Sequence, residues 1–155
     1  MSLIEIGSIA PEFELPRDGG NVFSSTELNG RAFVLFFYPK DNTSGCTREA
    51  TEFSAAQDAF DALGVTVLGV SKDSVKKHDN FRDKFSLTVP LLSDEQSDMC
   101  ERYGVWTEKT MYGRKFMGIQ RSTFLVGADG IVKAVWPKVK VPGHVDAVLE
   151  AAKDL

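Results

Sequence analysis

The apolar positions of this chain change period several times, and each change marks an element. Ala32 to Tyr38 is an unbroken apolar run dominated by aromatic side chains, the pattern of a strand buried on both faces. Pro39 ends it. Lys40 to Gly45 is turn-forming, after which Phe53, Ala56, Phe60 and Leu63 recur at helical spacing up to a glycine stop at Gly64. Val65 to Val70 is a second buried strand, so this stretch predicts a right-handed strand, helix, strand unit with a parallel sheet.

On the N-terminal side, Ile9 to Leu15 and the turn Asp18-Gly19-Gly20-Asn21 predict a hairpin, and Ser24 to Leu28 a short capped turn. On the C-terminal side, Ser71 to Ser74 should cap a helix with Val75, Phe81 and Phe85 among its apolar positions. Ser93-Asp94-Glu95 should cap another, carrying Met99, Cys100 and Tyr103 and stopped by Gly104. Val105 to Gln120 has no clear period and mixes Trp106, Met111, Tyr112, Phe116 and Met117 with charges, so it reads as a loop over the site or a contact surface. Ser122 to Val126 and Ile131 to Trp136 flank the turn Gly127 to Gly130 as an antiparallel hairpin, and Val145, Val148, Leu149 and Ala152 form one face of a closing helix. The order predicts an α/β protein of thioredoxin-like fold, with a central mixed sheet flanked by helices and an added N-terminal β-hairpin. No repeat or linker interrupts residues 1–155, which read as one domain.

Composition narrows the function. With 155 residues, 43% hydrophobic and 26% charged, the chain suits a soluble protein with a sizeable core. A net charge of −4 argues against nucleic acid or an anionic membrane as partner. No segment approaches membrane-spanning length or resembles a secretion signal, so a cytoplasmic location is expected. Two distant cysteines do not make a disulfide framework. His78 and His144 lie in or beside polar helical segments without ligand spacing, so both read as surface residues, and neither a metal nor a cofactor is implied.

The chemistry gathers at Cys46, in the first turn of the helix that follows the central strand. Unpaired amides and the helix dipole stabilise an anion there, and the thiolate is the nucleophilic form of cysteine. Lys40 and Arg48 are nearby in sequence. The competing reading is a buried, inert cysteine.

The segment PKDNTSGC fits the pattern Pro-x-x-x-Thr-x-x-Cys at Pro39, Thr43 and Cys46, and it resembles the peroxiredoxins, in particular the peroxiredoxin Q or bacterioferritin comigratory protein group. GSIAPEFELP, VLGVSKDSVKKHDNF, LLSDE, YGVW and RSTFLVGADG extend the resemblance over nearly the whole chain. It implies a thiol-dependent peroxidase for hydrogen peroxide and small organic hydroperoxides, reduced by thioredoxin, glutaredoxin or a low-molecular-weight thiol and monomeric or weakly dimeric. Cys46 is implied to become a sulfenic acid. Thr43 is implied to hydrogen-bond the thiolate or peroxide, Pro39 to shield the site from water, Arg121 to sit against sulfur and peroxide, and Glu49 to orient Arg121.

Two positions depart from the group. Many members carry a second cysteine five residues after the first, where this chain has Thr51, and Ser44 stands where proline is frequent. Cys100 is then the other candidate for resolving the sulfenic acid, although its place beside Met99 and Tyr103 reads as core packing. Otherwise the enzyme uses one cysteine and an external thiol. A peroxide sensor using the same Cys46 without efficient turnover is the alternative function, whereas a disulfide reductase is disfavoured by the lack of Cys-x-x-Cys.

Overall fold

The computed structural model describes residues 2–155. The apolar run forms β3 (Ala32–Phe37). It lies at the centre of a five-stranded sheet, parallel to β4 (Val65–Ser71) on one side and antiparallel to β8 (Ser122–Val126) on the other. Strands β5 (Leu91–Ser93) and β9 (Val132–Trp136) form the two edges. Because side chains alternate along a strand, β3 feeds two cores. Val34, Phe36 and Tyr38 pack with residues of four helices, α1 (Ser44–Ala55), α2 (Gln57–Ala62), α3 (Val75–Phe85) and α5 (His144–Lys153). Phe33, Leu35 and Phe37 pack on the other face with the short α4 (Met99–Arg102) and the N-terminal hairpin of β1 (Glu14–Pro16) and β2 (Val22–Ser24). The Phe36 ring lies over Gly69 of β4, where a Cβ would come within 2.7 Å of it, so only glycine fits opposite this aromatic.

The hairpin, the Ser24 capping box with Glu27, the strand, helix, strand unit and the closing helix follow the expected pattern. Four features differ. The helix after Cys46 breaks at Ala56, where Ser54 offers its hydroxyl and carbonyl to Thr88 instead of serving only the helical ladder. The helix around Cys100 is a single turn, which Asp94 caps from a distance through the amides of Met99 and Cys100. The segment read as an irregular loop is a two-stranded ribbon, β6 (Trp106–Met111) and β7 (Arg114–Ile119), closed by Tyr112 and Gly113, both at positive φ as a type I′ turn requires. Only Ile119 in it is buried, so neither face carries the alternation that would have announced strands.

The histidines are the fourth difference. Both are buried, not at the surface: His78 faces inward from α3 between Asp41 and the Leu92 carbonyl, and His144 opens α5 against the rings of Trp136 and Phe53. Partners distant in sequence meet both nitrogens of His78 and Nε2 of His144, which the polar residues around them in the chain conceal.

Candidate active site

The site forms where β3 stops. Pro39 carries the chain out of the sheet, exposed, and Asn42 takes a left-handed turn at φ 63° that leads to Thr43, the residue before α1. The Thr43 hydroxyl donates 2.8 Å to the Lys40 carbonyl and does not cap the helix. The first ladder bond of α1 runs from the Thr47 amide to the Thr43 carbonyl at 2.8 Å, so the amides of Ser44, Gly45 and Cys46 have no acceptor in the helical ladder. The Cys46 side chain is buried, with 1% of its surface exposed.

Arg121, between β7 and β8, reaches under the helix. Its Nη2 is 3.2 Å from the Cys46 Sγ and its Nη1 is 2.8 Å from Glu49 Oε1, so one planar guanidinium holds both groups. Gly45 permits this approach, since a Cβ there would sit 3.2 Å from the same Nη2. Glu49 is fully buried, and burial pushes its carboxyl up to about 7 against the pull of Arg121. Its second oxygen has no hydrogen-bond partner and faces His144 Nε2 at 4.0 Å. Burial, followed by the charge of Arg121, pushes His144 down to about 4, so the ring is neutral near pH 7, and it shares a hydrogen with Thr123 Oγ1 at 2.8 Å.

The structure thus joins Cys46 and Glu49 through Arg121 and leaves Pro39 and Thr43 exposed on the loop that leads into α1. It does not bring Cys100 to the site. That residue belongs to the core on the opposite face of the sheet, fully buried, where burial and then Asp94 push its thiol far up. The free amides follow from any helix start and were read from the sequence, which missed two contributors. His144 needed the fold to bring α5 behind Glu49. Lys109 of β6 is held below the usual lysine range by burial and by Arg121, with Cys46 acting in the opposite sense, and its place in an aperiodic segment hid it. A cleft of about 1000 Å³, lined by Arg31, Leu63, Asp129 and Lys133, lies at the far end of the sheet and contains none of these groups.

Comparison with known proteins bears on the family of the chain. The AhpC/TSA family model matches residues 6–135. A putative peroxiredoxin bcp of Coxiella burnetii is 49% identical over 146 residues, covering 94% of this chain and 97% of its own. Peroxiredoxin Bcp of Xanthomonas campestris is 44% identical over 152 residues, covering 98% of this chain and 95% of its own. Among solved structures, Xanthomonas campestris peroxiredoxin Q superposes with a TM-score of 0.89 at 44% identity, covering 99% of this chain and 97% of that one. A Xylella fastidiosa PrxQ mutant gives 0.92 at 40%, covering 99% and 98%. A helix-borne cysteine held by arginine at the end of a central strand, in a chain related over its whole length to these proteins, identifies the chain as a member of the AhpC/TSA family, a peroxiredoxin of the Q or Bcp group and hence a thiol-dependent peroxidase.

Proposed function

We propose that Cys46 is the peroxidatic residue and that the enzyme works with this one cysteine on hydrogen peroxide and small organic hydroperoxides. The contact of 3.2 Å between Arg121 Nη2 and the Cys46 sulfur carries the reading. In the first step the thiolate attacks the terminal oxygen of the peroxide. An S–O bond forms, the O–O bond breaks, and the leaving hydroxide or alkoxide takes a proton to depart as water or an alcohol. Negative charge spreads from sulfur over both oxygens, where the guanidinium and the free amides of the first helical turn stabilise it without reorganising. With its proton committed to Lys40, the Thr43 hydroxyl offers lone pairs, suited to accept the peroxide O–H and aim it at sulfur. Pro39 screens the rim. Glu49 acts through Arg121, fixing one end of the guanidinium so that the other faces the sulfur.

The second step follows from the placement of the two cysteines. Cys100 lies behind the sheet with its thiol held in the neutral form, and Thr51 offers no sulfur, so an external thiol condenses with the sulfenic acid, releasing water and leaving a mixed disulfide that a second thiol opens. Thioredoxin, glutaredoxin or a small thiol supplies these electrons. Organic substrates find support in a Xanthomonas campestris relative described for its alkyl peroxide reduction activity. A single domain, a monomeric or weakly dimeric state and a cytoplasmic setting, where thiols stay reduced, complete the proposal. No helix among the described residues is long and apolar enough to cross a membrane.

Intact mass after one equivalent of hydrogen peroxide, with a sulfenic-acid trap, tests it. An adduct on Cys46 in both the native chain and Cys100→Ser is the expected result. Loss of two hydrogens that disappears in Cys100→Ser would overturn the one-cysteine step, and a single burst without turnover under excess thiol would leave a sensor instead of an enzyme.

A further inference from the structure

Behind the loop that carries Pro39 and Thr43 lies a second buried polar cluster that the chemistry above does not use. Asp41 is its hub. One carboxylate oxygen accepts from the Tyr38 hydroxyl and the other meets His78 Nδ1, both at 2.6 Å, while the Asp41 amide donates 2.8 Å to Asp73 Oδ2. His78 Nε2 faces the Leu92 carbonyl at 2.9 Å. Both groups facing the ring are acceptors, so both ring nitrogens carry hydrogen and His78 is an imidazolium paired with a carboxylate. Burial opposes that charge, but the Asp41 bond and charge outweigh it and raise the His78 pKa above its usual value.

Asp41, Asp73 and His78 come close enough to suggest a metal site. Their hydrogen bonds argue otherwise: Asp73 Oδ2 already accepts from Ser71 and from the Asp41 amide, and His78 Nδ1 is spent on Asp41. The cluster is a strut instead. It ties the end of β3, the end of β4, α3 and β5 to the residue just before the left-handed Asn42, and α3 holds that turn a second time through Lys84 Nζ and Asn42 Oδ1 at 3.2 Å.

We propose that Asp41 and His78 are positioning residues for peroxide reduction, their ion pair pinning the loop that presents Pro39 and Thr43 to the peroxide above Cys46. The proposal rests on the assignment of Cys46. Asn42 sits in the left-handed region, which residues with side chains adopt sparingly, and these ties from outside the turn help to fix its shape. The groups facing His78 are Tyr38 just past β3, Asp41 from the loop, Asp73 just past β4 and the Leu92 carbonyl from β5. When His78 loses its second proton, one of its two acceptors is left facing a lone pair, and the loop loosens. The peroxide reaction, which needs Thr43 in place, should then slow. Alkylation of Cys46 by iodoacetamide needs only an accessible thiolate and should not.

The test compares the second-order rate constant for hydrogen peroxide with the alkylation rate from about pH 6 to about pH 9. It uses the native chain, His78→Gln, Asp41→Asn and, as a control, Cys46→Ser. Asp41→Asn should lower the peroxide rate about tenfold or more while alkylation changes less than about twofold. The native chain should lose peroxide rate on the alkaline side, and His78→Gln, which keeps a donor but does not titrate, should lack that limb. Should Asp41→Asn fail to fold, His78→Gln carries the test alone. Parallel loss of both reactions, unchanged rates, or an alkaline limb that survives in His78→Gln would overturn the proposal. Peroxide reduction by Cys46→Ser would remove the assignment beneath it, whereas an inactive Cys46→Ser with variants equal to native would remove the positioning role alone.

Discussion

Cys46 and Cys100 form a natural controlled pair. Each lies in the first turn of a helix, each is almost wholly buried, and they pack on opposite faces of one sheet. What differs is the fixed charge beside them. Arg121 stands 3.2 Å from the Cys46 sulfur, while Asp94 takes the Cys100 amide at 2.8 Å and turns its negative charge on that thiol. At an effective dielectric near 20, a full charge at such a distance contributes about 5 kcal/mol before desolvation is subtracted. At Cys100 burial is the larger cause that keeps the thiol protonated, Asp94 adds to it and Lys72 opposes it. Burial and a helix start are common to the two cysteines, whereas the guanidinium against the sulfur is found at Cys46, on a helix of twelve residues against one of four at Cys100.

Removing each sulfur should give the largest contrast. Cys46→Ser is expected to lower thiol-dependent peroxide consumption to the uncatalysed background, and Cys100→Ser to leave it within about twofold, costing only a little packing. Steady-state turnover with an excess of reductant measures both, and a loss of activity in Cys100→Ser without loss of fold would end the distinction. Next in size is the charge itself. Arg121→Ala should slow the peroxide reaction by about 100-fold or more, in the range for losing an electrostatic donor to a developing anion. Arg121→Lys should recover only part of this, because an ammonium cannot hold sulfur and Glu49 with one rigid plane. Equal rates in the lysine variant would mean that charge alone suffices.

The Cys46 side of this comparison was largely legible in the sequence. The apolar run, its proline stop and a polar turn before a helical pattern place a cysteine at a helix start whatever the family, and the resemblance supplied Arg121 and Glu49, which the contacts then join. What escaped was long-range or half-buried. His78 and His144 sit among polar neighbours in the chain, and only the fold shows that Asp41, a carbonyl on β5 and Thr123 meet their nitrogens. The β6 and β7 ribbon buries neither face, so no period of two is written into it, and Lys109 was hidden with it. The bond from the Thr43 hydroxyl to the Lys40 carbonyl was not legible either, since it depends on how the turn folds back on itself.

A finer change tests how closely Arg121 must approach. Gly45 does not have a positive φ, so alanine fits its backbone, yet the new Cβ would lie 3.2 Å from Nη2, tighter than ordinary contact. Removing a helical glycine stabilises by about 0.5–1 kcal/mol, so Gly45→Ala should unfold at the same or slightly higher temperature. Its peroxide rate should nonetheless fall several-fold, as the guanidinium shifts by a few tenths of an ångström. A stabilised variant with native rate would show that the arginine has slack.

The smallest effect is expected in the native protein's own stability against pH, because two groups behind Cys46 oppose each other. Glu49 is raised from 4.5 to about 7, so the stability it contributes is complete below pH 4.5 and is lost as pH rises through 7. His144 is depressed from 6.5 to about 4, so its contribution is complete above pH 6.5 and is lost as pH falls through 4. Each is worth about 3 kcal/mol across its window, and between pH 4.5 and 6.5 the two slopes cancel. Urea midpoints should therefore be nearly flat in that interval for the native chain, rise with pH in Glu49→Gln, where His144 acts alone, and fall in His144→Gln, where Glu49 does. Cys100, which stays protonated throughout this range, supplies no matching slope. Slopes of the same sign in the two variants would break the balance drawn here and relocate the pH dependence away from the groups behind Cys46.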